Sequence, residues 1–116
     1  MRHQQKNRKF GREKGQRNAF LKSLVSNLIL KGKIETTEAR AKTLRSKAER
    51  LVTLAKKQNL ASLRILISRI SKKPALKLYY DIAPKYVERK GGYTRIVKLG
   101  KRRLGDASQV SRIEFI

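Results

Sequence analysis

One stretch limits what this chain can fold into more than any other. Residues 34–57 read IETTEARAKTLRSKAERLVTLAKK. Ala41, Leu44, Ala48, Leu51, Val52 and Ala55 recur three and four apart, which puts them on one face of an α-helix. Lys42, Arg45, Lys47, Arg50, Lys56 and Lys57 fall on the other face, with Glu49 as its only acid. Thr37 stands at the N-cap position, where its hydroxyl can accept a hydrogen bond from an unpaired first-turn N–H. Glu38 follows in the first turn, where the helix dipole favours negative charge. A helix built this way looks inward to a core and outward to something negative.

The outward face is representative of the whole chain. It has 31 basic and 8 acidic residues, a net charge of +23. A compact body with that charge repels itself, so the excess makes physical sense beside a dense polyanion. Nucleic acid is the commonest one. A merely solvated surface would mix both signs. A length of 116 residues implies one domain with a modest core. There is no cysteine, which excludes disulfides and thiolate metal sites and suits a reducing cell interior. No apolar run approaches the roughly 18 residues of a membrane span. The basic N-terminus lacks the apolar block of a secretory signal, so the mature chain is expected to start at Met1.

Residues 1–17, MRHQQKNRKFGREKGQR, hold seven basic residues and one acid, Glu13. Phe10 is the only large apolar side chain, too little to offset the entropy of ordering. Residues 1–12 are therefore expected to be a basic arm, and residues 13–116 a single globular domain. From Asn18 a helical pattern begins, with Leu21, Leu24, Val25 and Leu28 on one face and Gly32 as the residue that ends it. An earlier start near Glu13 is opposed by Gly15. Residues 33–37 form a strand, then comes the central helix, which Gln58 and Asn59 break. A third helical pattern runs over 60–71, with Leu63, Leu66, Ile67 and Ile70 aligned. Pro74 fits the first position of a fourth helix, and Pro84 should interrupt that helix. Tyr79 and Tyr80 read as core packing. Residues 96–99 and 110–116 read as strands, separated by a basic loop bracketed by Gly100 and Gly105. The expected class is α+β, in the order α-β-α-α-α-β-β, with helices on a small mixed sheet. Residues 89–103 carry seven basic residues and no acid, a second positive cluster.

Enzyme chemistry has little to work with. His3 is the only histidine, so no Ser–His–Asp arrangement can be built. The acids are scattered, and their basic surroundings favour ionised forms over a raised-pKa acid. No phosphate loop or dinucleotide fingerprint occurs. His3 lacks partners for a metal, and no cofactor is expected. A DNA-binding protein remains open on composition. The strand pattern after Gly32 argues against a helix-turn-helix.

Several segments together resemble a known family. These are Met1-Arg2-His3, Arg8-Lys9-Phe10-Gly11-Arg12, residues 34–42 (IETTEARAK), residues 91–96 (GGYTRI), Gly105-Asp106-Ala107 and Ile113-Glu114. In this order they resemble the L-seventeen family of bacterial large-subunit ribosomal proteins. Gln16-Arg17 stands where the family commonly has His-Arg, and Ser108-Gln109-Val110 where it has Ala-Pro-Met. The loop 100–104 is one residue longer than in many members.

The resemblance implies a structural protein, one copy per particle and with no homo-oligomer. It implies binding to large-subunit ribosomal RNA near the peptide tunnel exit, beside other ribosomal proteins, in the cytoplasm, without membrane, metal or catalysis. The candidate RNA contacts at the N-terminal end are Arg2, His3, Lys6, Arg8, Lys9, Arg12 and Arg17. Arg40 opens the central helix. Arg89, Lys90, Tyr93, Arg95, Lys98, Lys101, Arg102 and Arg103 make up the second cluster.

Overall fold

The computed structural model describes residues 13–116. The expected arm, residues 1–12, lies outside the described residues. Helix α1 spans Lys14–Lys31 and begins at the earlier of the two expected places. Gly15 is exposed in its first turn, where a glycine costs little. The helix ends at Gly32, whose φ of 81° is the left-handed value a glycine takes without strain.

Strand β1 (Lys33–Thr37) leads directly into α2 (Glu38–Ala55). Thr37 caps α2: its hydroxyl accepts from the Arg40 N–H at 3.4 Å. All six residues of the apolar stripe are buried, with Ala41, Leu44, Val52 and Ala55 at zero exposure. Full burial of a side chain such as Leu44 contributes about 1.5–3 kcal/mol.

Gln58 (φ 52°) turns the chain, and its amide donates to the carbonyls of Ala55 and Tyr79, both at 2.9 Å. Asn59 caps α3 (Leu60–Ile70) by accepting from the Ser62 N–H at 2.8 Å. Helix α4 (Lys72–Lys77) begins two residues before the expected place, with Pro74 third in it. Proline is tolerated there because the first four N–H groups of a helix have no internal partner. The helix then widens into a π turn at Leu78–Ile82 and tightens into a 3₁₀ turn at Ala83–Tyr86. Pro84 is the physical cause, since it has no N–H for the Tyr80 carbonyl and its ring crowds that oxygen. Tyr79 is buried, but Tyr80 is 62 % exposed and is not core packing.

Strands β2 (Thr94–Arg102) and β3 (Gln109–Phe115) form a hairpin, and β1 pairs on the other side of β3. Both pairings are antiparallel, so the sheet is not mixed. Strand β2 is longer than expected, because a register shift between Lys98 and Arg102 lets the chain past Gly100 pair again with Gln109. Ile34, Ile113 and Ile96 lie in register across the three strands and pack into the core. Helix α2 is tied to the sheet by Glu49, which accepts from the Thr94 N–H (3.2 Å) and hydroxyl (3.0 Å). The C-terminus is held by the Tyr86 hydroxyl on the Ile116 carbonyl, 2.6 Å.

Candidate nucleic-acid interface

Two basic surfaces emerge from this fold. The first is the sheet with its hairpin. Most of its cations come from the cluster that carries no acid along the chain, yet acids from elsewhere fold against it. Arg95 pairs with Glu114 at 3.2 Å, across the β2–β3 ladder. Arg112 meets the other oxygen of Glu114 at 2.7 Å. Lys101 stands 3.3 Å from Glu35 of β1. Lys98 is 3.7 Å from Glu38, which also receives Lys42 at 3.0 Å. The Lys42 hydrogen bond is the main reason the Glu38 carboxyl is held below its usual range. Arg112, then Arg95, do the same for Glu114.

The hairpin tip spends its arginines on its own turn. Arg103 makes a two-pronged contact with Asp106, with Nε to Oδ1 at 3.1 Å and Nη2 on Oδ2. That contact holds the Asp106 carboxyl well below the ordinary carboxylate range. Arg102 donates to the Ala107 carbonyl at 3.0 Å. Between this tip and the start of α2 lies a cleft lined by Arg40, Lys42, Arg102 and Arg103, with Lys101 beside it. Arg40 also stacks over the Phe20 ring, 4.8 Å from its centre.

The second surface is a groove where α1, α2 and α3 meet. Its floor is Leu21, Val25, Leu51 and Ile70. Lys22, Lys47, Arg50 and Arg69 stand on its rim, and no acid lines it. Each of those four side chains is exposed, and none forms an ion pair or hydrogen bond with a described residue. Concave walls of low dielectric with one sign of charge focus potential outward.

The predicted contacts are thus divided. Arg40, Lys101, Arg102 and Arg103 are brought together at the cleft. Arg89 and Lys90 are exposed at the far end of β2, roughly 25–30 Å away along a strand of nine residues. Arg95 is on the open face of the sheet, while Lys98 reaches toward α2. Arg17 is half-buried on α1. Arg2, His3, Lys6, Arg8, Lys9 and Arg12 lie outside the described residues. Tyr93 belongs to the core: it is 1 % exposed and packs on Tyr86 with ring centres 5.3 Å apart. Its hydroxyl accepts from Lys56 at 3.0 Å, which lowers its pKa. Lys56 also donates to the Arg89 carbonyl, so it does not point outward with the other α2 cations. Lys22, Lys47, Arg50 and Arg69 were absent from the candidate contacts. Lys47 and Arg50 stand on the outward cationic face of α2, and the available signal for Lys22 and Arg69 is only that each adjoins a core position in sequence.

The family model described as ribosomal protein L17 matches residues 20–116. The chain belongs to the ribosomal protein L17 family. Two bL17 relatives align with its whole length. It is 50 % identical over 117 residues to the large ribosomal subunit protein bL17 of Sulfurihydrogenibium sp., covering 100 % of this chain and 97 % of that one. The bL17 of Persephonella marina is 52 % identical over 118 residues, covering 100 % and 95 %. The bL17 of Clostridium botulinum is 48 % identical over 110 residues, covering 94 % and 96 %. Among the described residues no group of acids and histidines can hold a metal ion, and no helix is long and apolar enough to cross a membrane.

Proposed function

We propose that this L17-family chain is a structural, non-enzymatic constituent of the large ribosomal subunit, present in one copy. It holds large-subunit ribosomal RNA by neutralising phosphates and by matching the shape of folded RNA. Its place is on the side of the particle where the peptide tunnel opens, beside other ribosomal proteins. The observation that carries this reading is the end-to-end likeness to relatives whose names describe large-subunit proteins. The surplus of +23 supplies the mechanism. On the folded body Arg40, Arg89, Lys90, Arg95, Lys98, Lys101, Arg102 and Arg103 meet phosphates. Arg17 does so from α1, and Arg2, His3, Lys6, Arg8, Lys9 and Arg12 from the N-terminal segment. Tyr93 contributes by holding the 89–93 loop against the core.

The test is sedimentation of a cell extract together with binding at several salt concentrations. The protein should run in the large-subunit peak. If about ten phosphates are contacted, log affinity should fall against log salt with a slope of roughly −7 to −9. Removal of residues 1–12 should lower that slope. Equal affinity for heparin, duplex DNA and ribosomal RNA would mean bare stickiness and would overturn the reading.

A further inference from the structure

We infer that the groove between α1, α2 and α3 is a phosphate-backbone seat of its own, and that it takes one strand of RNA. This rests on the RNA-binding reading above and adds a surface that reading does not contain. Three observations carry it. Lys22 from α1, Lys47 and Arg50 from α2 and Arg69 from α3 converge on one concavity from three elements. All four are exposed and without an ion pair among the described residues, so none must release a carboxylate before meeting a phosphate. No acid lines the groove, in a molecule where acids have folded against the other basic surface.

The shape selects the form of the partner. A groove between helices receives a ridge, and one sugar-phosphate strand standing proud of a folded RNA is such a ridge. The floor of Leu21, Val25, Leu51 and Ile70 is a thin apolar strip that suits the flat side of a ribose. Asn18 is the one lining side chain that both donates and accepts, as a ribose 2′-hydroxyl requires. An acidic protein segment meets the same charge and can also bond that amide, so it is a separate outcome of the experiment.

The experiment compares full-length protein with two variants, each losing four cations. One is K22Q/K47Q/R50Q/R69Q in the groove. The other is R95Q/K98Q/K101Q/R102Q on the sheet. Salt-dependent binding to deproteinised large-subunit ribosomal RNA is measured for each, with far-ultraviolet circular dichroism to show that each is folded. The groove variant should lose about 3 from the log–log slope and on the order of a hundredfold in affinity near physiological salt. The sheet variant should lose a smaller part of that slope, because a carboxylate released by Arg95, Lys98 or Lys101 takes up a counterion as the phosphate sheds one. A folded groove variant that binds ribosomal RNA as the parent does, while the sheet variant fails, overturns the groove and leaves the RNA-binding reading standing. Polyglutamate is titrated in parallel, and a groove variant that loses it while RNA binding stays intact also overturns the proposal, in favour of an acidic protein segment. A parent that shows no preference for ribosomal RNA over heparin removes the underlying reading instead.

Discussion

Lys98, Lys101, Arg95 and Arg112 on the sheet side each stand beside a carboxylate. Lys22, Lys47, Arg50 and Arg69 in the helical groove stand beside none among the described residues. Both surfaces are cationic, and they differ in what has folded against those cations. A paired cation has to exchange its carboxylate for a phosphate, and an exposed pair is worth about 0–1 kcal/mol. The discount is small for each pair and accumulates over four. It also persists at long range, because each nearby carboxylate cancels part of the potential that would draw in a polyanion. Charge counted along the chain therefore misjudges the second cluster: Glu35, Glu38 and Glu114 are remote from it in sequence and adjacent to it in space.

The two surfaces share α2 as their support. Helix α2 carries Lys47 and Arg50 into the groove and Glu38 toward the sheet. Leu44→Ala, at a fully buried position, should cost about 2–5 kcal/mol of stability in a denaturation curve and weaken both surfaces together. If RNA binding through only one surface suffered, the two would not share a scaffold.

The next effect isolates the carboxylates. Glu35→Gln with Glu38→Gln releases Lys101, Lys98 and Lys42. RNA affinity should rise by about tenfold, roughly 1.4 kcal/mol, with a steeper salt slope. The groove has no carboxylate to remove and so offers no comparable gain. Unchanged affinity in the double variant would mean that the pairing does not restrain the sheet cations.

The smallest effect is on pH dependence, and its sign follows from the depressed carboxyl groups. Glu38, Glu114 and Asp106 titrate below their usual range in the folded protein because cations hydrogen-bond them. Their stabilisation is therefore present above the ordinary carboxylate range, near pH 4, and is lost as pH falls through the lowered values. The melting temperature should be level between pH 8 and 5 and decline below about pH 4. A decline that begins near pH 6.5 would point to some other group.

Much of the fold could be read from local pattern. The stripe from Ala41 to Ala55, the Thr37 cap and the Gly32 stop are short-range features, and each stands where its chemistry required. What escaped was non-local. Nothing in the spacing of Tyr79, Tyr80 and Tyr93 says which rings the core will cover. The residues around Gly100 read as a loop because a bulge, visible only once β3 is paired, lets the strand continue. The groove was hidden for the same reason: its rim is assembled from positions 22, 47, 50 and 69, which only helix packing brings together.

Cations without a carboxylate partner are expected to carry more of the RNA contact than cations with one. Lysine acetylation read by mass spectrometry, on the full-length protein with and without ribosomal RNA, tests it residue by residue. Lys22 and Lys47 should be protected by RNA several-fold more strongly than Lys98 and Lys101. Strong protection of Lys98 and Lys101 with Lys22 and Lys47 left reactive would show that the paired cations carry the contact instead.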